Sequence, residues 1–281
     1  MDGGRRAPAG RGGELSVLED DLLFSVLRRL DCRSDKLAAA LVCKRWLAVI
    51  RGAYSQCTIL NARLKPSSRA VRDEHVVAIA KRFGPSLQRL NLASNKRIGQ
   101  AALEAIGAHC TQLQALWLTN GTFDDAALMP IASCHQLKVL GLGNCRSITD
   151  MGVCCIAAGC KAVQEVSVRW CVGITDRGVD VLLSNCHAIH TLDLSYTKVT
   201  EAAMKVVQRH PALTHLNLSS CQSLTDPAIA TLRHGCTALQ SLDVSGCEQV
   251  TDVGLMALTA GAIPLTALTA AFCPQARLTE G

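Results

Sequence analysis

Aromatic side chains are scarce: nine in 281 residues, or 3%, too few to supply the stacking surface of a nucleic-acid groove. No basic run makes up for them. The net charge of +6 is mild and comes partly from Arg5, Arg6 and Arg11, so nucleic-acid binding is not expected. No stretch of about 20 uncharged apolar residues occurs, and no membrane span is expected. The first residues are rich in Gly and Arg with no apolar centre, which is unlike a secretory signal. Fifteen cysteines are present, yet no two stand in a Cys-x-x-Cys pair, so a zinc site, or any metal, is not expected. No Gly-rich phosphate loop appears. No His recurs beside a Ser or Cys nucleophile outside the repeat pattern described next. The expectation is a chain with no catalytic residues and no cofactor.

What the sequence has in quantity is repetition. The frame of Leu137–Ala162, LKVLGLGNCRSITDMGVCCIAAGCKA, restarts at Leu87, Leu113, Leu137, Val163, Ile189, Leu213, Leu239 and Leu265, in steps of 24 or 26 residues. Self-similarity at this period, opening on L-x-x-L-x-L, is the signature of a leucine-rich repeat solenoid. The first, fourth and sixth residues of a unit point inward from a short strand and those between them point out. A turn and an amphipathic helix follow. Asp150, after Thr149, stands where a side-chain N-cap belongs, with equivalents at Asp176, Asp226 and Asp252. One unit cannot bury its apolar face alone, so units stack. The expected fold is α/β: a horseshoe with a concave parallel sheet and convex helices, seven full units and a partial eighth.

The repeat accounts for most of the cysteines. Cys145, Cys171, Cys221, Cys247 and Cys273 are ninth in their units, and Cys110, Cys134, Cys160, Cys186 and Cys236 stand three residues before the next unit. At such positions a thiol packs as a small hydrophobe. Buried free thiols without a secretory signal point to a reducing compartment, cytoplasm or nucleus. His109, His135, His187, His210 and His234 fall at or near unit ends, where helix C-termini would suit them.

The N-terminal part departs from the frame. Residues 1–13 read as a disordered tail. Residues 14–51 read as three short helices: 18–30, amphipathic with acidic residues first; one capped by Ser34-Asp35 through Ala40; and 41–50. A bundle this small needs outside support. Residues 52–86 read as a linker or degenerate first repeat, with a strand at 57–60 and a helix from Asp73 to Phe83. Counting 26 residues back from Leu87 starts that repeat at Asn61. At the other end, the eighth unit has a strand and Cys273 but no convincing helix. Either the tail from Pro274 covers the core poorly or the chain is a truncated product of a longer relative.

The stretch L-E-D-D-L-L-x-x-V-L-x-x-L, followed by D-K-x-x-x-x-L-V-C-K-R-W-L, resembles an F-box. The repeats behind it, carrying C-x-x-I-T-D-x-G, resemble the cysteine-containing leucine-rich repeats of the F-box/LRR family, plant-type members above all. Glu19 follows Leu18 where the usual F-box has proline. The resemblance implies a non-catalytic subunit of a ubiquitin ligase. Its F-box would dock on a Skp-type adaptor and through it on a cullin–RING ligase, and its repeats would hold a protein substrate. Leu18, Leu22, Leu23, Val26, Leu27, Leu30, Val42 and Trp46 would then divide between the adaptor interface and the module's own core.

The second candidate surface is the concave face, at the third, fifth, seventh and eighth positions of each unit. The residues expected there to bind substrate are Arg89, Trp117, Glu165, Arg169, Trp170, Asp193, Tyr196, His215, Asp243 and Phe272, with Ser195 among the exposed positions between them. Trp170, Tyr196 and Phe272 share the eighth position. Aromatic residues and Arg on a surface of Ser, Asn and Gly are the usual anchors of a protein interface; the alternative is that each ring packs over its own turn. The rival reading of the whole chain is a ligase-independent interaction scaffold whose N-terminal helices are an end cap.

Overall fold

In a computed structural model of the chain, residues 71–260 and 263–273 are described, together with the backbone of Ile59–Leu60. Each unit opens on a three-residue strand at its third to fifth positions. These are β2 (Arg89–Asn91), β3 (Ala115–Trp117), β4 (Val139–Gly141), β5 (Glu165–Ser167), β6 (Thr191–Asp193), β7 (His215–Asn217), β8 (Ser241–Asp243) and β9 (Ala267–Thr269). With β1 (Ile59–Leu60) in front, they form a nine-stranded sheet in strict chain order. Every neighbouring pair is parallel and in repeat register, so Leu90, Leu116, Leu140, Val166, Leu192, Leu216, Leu242 and Leu268 make one ladder. Parallel neighbours need a crossover, and the return segments supply it. They are α1 (Asp73–Phe83), α2 (Gln100–His109), α3 (Asp125–Leu128), α4 (Asp150–Gly159), α5 (Asp176–Asn185), α6 (Glu201–Val207), α7 (Asp226–Thr231) and α8 (Asp252–Thr259). This is the leucine-rich repeat solenoid that the repeat frame predicts.

The core lies between sheet and helices. From Leu87 to Val244 every first, fourth and sixth position is at most 3% exposed. In the last unit Leu265, Leu268 and Ala270 are only half-buried. The ten repeat-frame cysteines are all buried and free. The ninth-position thiols donate to the carbonyl of the preceding unit's sixth residue: Cys145 to Leu118, Cys171 to Leu142, Cys221 to Leu194, Cys247 to Leu218 and Cys273 to Val244, at 3.1–3.3 Å. The second set of thiols continues inside the turn before each strand, where Cys186 donates to the Cys160 carbonyl.

Three expectations need correction. First, the N-cap is the threonine, not the aspartate after it. The hydroxyls of Thr149, Thr175, Thr200 and Thr251 accept from the backbone N–H two residues on. The aspartate, one step into the helix, points to the next repeat. There it takes both the N–H and the hydroxyl of the following threonine, as Asp125 does from Thr149 and Asp176 from Thr200. The glycine of I-T-D-x-G makes room for this: a Cβ on Gly152 or Gly178 would collide with the carboxylate of Asp125 or Asp150. Second, the repeat before Leu87 is present but longer than expected. Ile59 pairs with Arg89, an offset of 30 residues, so by register its frame opens at Cys57 rather than Asn61. Its helix α1 spans Asp73–Phe83 as predicted, with Arg72 rather than Asp73 at the N-cap; Asp73 accepts from the Gly99 N–H at 2.6 Å. Third, His210 lies near its unit end but not at a helix C-terminus, since α6 ends at Val207. It is 5% exposed and occupies the cysteine position three residues before Leu213. Its Nε2 lies 3.2 Å from the Cys186 carbonyl, the bond that a thiol makes elsewhere.

Candidate recognition face

The sheet's outward side chains are fixed by the turn that ends each strand. At the fifth position a short Asp or Asn bends back over the strand exit. Asn91, Asp193, Asn217 and Asp243 each accept the backbone N–H two residues later, at 2.9–3.1 Å, a local bond these side chains form readily. Asp193 goes further and also accepts from the hydroxyls of Ser195 and Ser167, at 2.6 and 2.9 Å. Its carboxylate is thus largely used within the fold. Ser195, expected on the surface, is fully buried, drawn in by that bond.

The eighth position is left-handed in every unit. Ser94, Asn120, Asn144, Trp170, Tyr196, Ser220, Gly246 and Phe272 all have φ between 55° and 69°. A repeated bond accompanies it: in every unit before the last, the N–H of this residue turns to the seventh-residue carbonyl of the next unit, as from Asn144 to Arg169 and from Trp170 to Ser195. Gly suits this backbone and Asn tolerates it, whereas a bulky side chain costs about 1–2 kcal/mol there. Trp170 and Tyr196 nevertheless hold it in adjacent units. Their rings stack on each other, centroids 3.7 Å apart and planes 12° from parallel, rather than each packing over its own turn. An offset aromatic pair contributes about 0.5–1.5 kcal/mol; rings this nearly eclipsed contribute no more than that, so the stack offsets at most roughly one of the two strained residues. The Arg169 guanidinium lies 5.7 Å from the Tyr196 ring centre.

Beside this stack the face is hollow. Gly141 and Gly143 in β4 and its exit carry no side chain, and both are buried. The Trp117 indole lies over Gly141, where a Cβ would approach its Cδ1 at 2.8 Å. An open cleft of about 560 Å³ results, bounded by Thr119, Asn120, Gly143, Asn144, Arg146, Ser167, Arg169, Trp170 and Asp193. Along one wall runs a chain of hydrogen bonds. Asn120 donates to Ser94, Asn144 donates to Asn120, and Arg146 Nε donates to Asn144 Oδ1, at 2.8–3.1 Å. Trp170, next after Asn144 in the eighth-position column, also lines the cleft, with Tyr196 stacked on it. Among the described residues neither Arg146 nor Arg169, both exposed, has a carboxylate within ion-pair distance.

Three of the ten residues expected to bind substrate meet in this cleft: Arg169, Trp170 and Asp193. Tyr196 braces it and Trp117 covers the strand next to it. Arg89, Glu165 and His215 are exposed on the same sheet face but outside the cleft, and Asp243 is half-buried in its own turn. Phe272 stands apart at the last strand, 91% exposed. The sequence reading passed over Asn120, Gly143, Asn144 and Arg146. Their signal was the G-L-G-N of Gly141–Asn144, glycine where other units place outward side chains. No group of three or more His, Cys, Asp or Glu among the described residues is placed to hold a metal ion. The eight residues expected at the adaptor interface, Leu18 to Trp46, lie outside the described residues, as do the three N-terminal helices.

Comparison with known proteins covers both parts of the chain. Residues 15–55 match the F-box domain, and residues 85–107, 210–232 and 235–258 match the leucine-rich repeat. An F-box/LRR-repeat protein of Arabidopsis thaliana, F-box/LRR-repeat protein 12, is 28% identical over 145 residues, 48% of this chain and 36% of that protein. Antagonist of mitotic exit network protein 1 of Candida glabrata is 27% identical over 111 residues, 38% of this chain and 21% of that protein. The chain thus spans about a third of the first relative's length and about a fifth of the second's. The crystal structure of the Rad7 and Elc1 complex in yeast overlaps 90% of this chain and 82% of that one, at 17% identity and a TM-score of 0.41. The chain carries an F-box followed by leucine-rich repeats, the arrangement of the F-box/LRR proteins.

Proposed function

We propose that this chain is the substrate-recognition subunit of a Skp–cullin–F-box ubiquitin ligase. The observation that carries the reading is the order of its parts: an F-box match at 15–55 in front of a repeat sheet with an open, arginine- and tryptophan-lined face. In this role the F-box binds the Skp-type adaptor through residues drawn from Leu18 to Trp46. The sheet face presents a protein substrate for ubiquitination and proteasomal degradation. No catalytic residue is needed in the chain, because holding a substrate near a charged ubiquitin-conjugating enzyme gains rate by proximity alone. The working compartment is the cytoplasm or nucleus, in keeping with twelve free thiols among the described residues.

The test is calorimetric binding of the purified chain to a Skp-type adaptor, beside a Val42→Asp/Trp46→Ala variant whose circular dichroism shows it folded. Binding lost in the variant supports the ligase subunit. A folded wild-type chain that does not bind makes Glu19, at the usual proline position, the decisive departure, and makes the protein a repeat scaffold instead.

A further inference from the structure

We propose that the cleft beside Trp170 binds an acidic peptide segment, with an Asp or Glu carboxylate held between Arg146 and Arg169 and a neighbouring apolar side chain laid on the open side of the Trp170 indole. The inference names the substrate class for the recognition face and rests on that reading of the face.

The cleft has the parts such a ligand needs, and no carboxylate among the described residues satisfies its two guanidinium groups. Trp170 and Tyr196 occupy left-handed positions that Asn, Ser or Gly fill in most other units. Strain of this kind persists where surrounding structure enforces it, and it gathers at binding sites. Tyr196 stacks on one side of Trp170 without entering the cleft, so the indole is braced and its other side lines the opening. Arg146 is oriented through Nε by Asn144, itself held by Asn120 and Ser94. Its two terminal amino groups remain for a carboxylate, which a guanidinium meets in a two-pronged fit. Arg169 lines the same cleft, also without an acidic partner among the described residues. With the floor at Gly143 bare of side chains, an extended backbone can come close to the sheet.

Charge decides between oxyanions. The lining holds two guanidinium groups and the carboxylate of Asp193, which leaves it singly positive. Asp193 is tied to Ser167 and Ser195 and cannot swing away. A monoanion neutralises that lining, whereas a phosphate dianion would leave a net negative charge beside the fixed carboxylate.

The experiment uses the purified full chain against short randomised peptides and reads binding without any adaptor, so it stands or falls separately from adaptor binding. Selected sequences are then made with Glu, Gln, phosphoserine or Lys at the enriched position and with Leu or Ser beside it. Glu is expected to bind at least about tenfold tighter than Gln, the usual worth of a hydrogen bond to a charged group, and Leu beside it tighter than Ser. Arg169→Glu and Arg146→Glu, each shown folded by its thermal melt, are expected to shift the preference from Glu to Lys. Trp170→Asn, which keeps a residue suited to the left-handed backbone, is expected to erase the Leu-over-Ser preference and keep the preference for Glu. Equal binding of Glu and Gln, tighter binding of phosphoserine than Glu, or charge reversals that leave the preference in place would each overturn the proposal.

Discussion

Asp150 holds Thr175 of the next repeat by two bonds at once, from its backbone N–H at 2.8 Å and from its hydroxyl at 2.6 Å. Thr175 in turn caps its own helix by accepting from the Arg177 N–H. One carboxylate thus sets the start of the following helix, and with it the stacking of two units. The relation repeats from Asp125 to Thr149, from Asp176 to Thr200 and from Asp226 to Thr251. It breaks where the aspartate is replaced by Glu201, which pairs instead with Lys205 on its own helix at 2.9 Å. Thr225, its counterpart in the next unit, receives no carboxylate from that helix, and it makes no side-chain cap bond of its own because Pro227, two residues on, has no N–H to donate.

The ladder predicts opposite effects at two sites. Asp150→Ala removes two charge-assisted bonds and should cost about 2 kcal/mol. Glu201→Asp should complete the ladder to Thr225 and stabilise by about 1 kcal/mol. The exposed Glu201–Lys205 pair it gives up is worth only about 0.3–0.5 kcal/mol. Urea midpoints of the two variants read both effects. A Glu201→Asp protein no more stable than wild type would mean that the cross-repeat bond is not limiting at this joint.

His210 makes stability depend on pH. Burial lowers its pKa below the ordinary 6.5, and neighbouring His187 acts the same way, while the bond to the Cys186 carbonyl opposes them. The Nδ1 atom is buried without a hydrogen-bond partner. The folded state therefore favours the neutral ring, and the unfolded chain binds the proton more readily. Stability from this site is fully present above about pH 6.5 and falls away as pH drops through that value toward the lowered folded pKa. His210→Cys restores the side chain found at the equivalent positions in other units. Its urea midpoint should fall less between neutral and mildly acid pH than that of the wild type. Parallel declines would remove His210 as the source.

Much of the architecture was legible because it depends on side chains one unit can show. The alternation of Leu137, Leu140 and Leu142 marks strand and core, and the spacing of Cys145 and Cys160 marks two buried thiol positions. What the sequence did not show depends on the neighbouring unit. Asp150 looks like a cap until Thr175 is beside it. Ser195 looks outward by alternation until Asp193 draws it in. The hollow at Gly143 exists only because Trp170 and Asn144 flank it from two repeats. Asp193 and Asp243 illustrate the same limit at the candidate site, since both read as free surface acids and both serve their own strand exits. The F-box was legible from local wording alone, in the spacing of Leu22, Leu23, Val26 and Leu30 and the L-V-C-K-R-W-L run after them, and residues 15–55 match that domain.

The buried thiols should be chemically silent. Burial pushes Cys110, Cys145, Cys160, Cys236 and Cys247 up to about 12, and the thiolate is the reacting species. Cys154 and Cys155 are only half-buried. In the native protein near neutral pH, site-resolved mass spectrometry should find alkylation at Cys154 and Cys155 well before the ladder thiols, which should react together on unfolding. Early labelling of Cys160 or Cys186 would mean that the repeat stack opens locally there.

Two aromatic members of the eighth-position column, one at its end and one at its middle, should respond differently to the same substitution. Asparagine suits the left-handed backbone and relieves about 1 kcal/mol of strain wherever it replaces an aromatic residue. At Phe272 the ring is 91% exposed and contributes almost nothing to burial, so Phe272→Asn should leave stability unchanged or raise it by up to about 1 kcal/mol. At Trp170 the same relief is set against loss of the stack on Tyr196, itself about 0.5–1.5 kcal/mol, and of partly buried indole surface. Trp170→Asn should therefore come out neutral to mildly destabilising. Thermal melts of the two variants check the contrast. A Phe272→Asn protein that loses stability would show that the ring is packed in solution, and the aromatic eighth positions would then be elements of the fold rather than of its binding face.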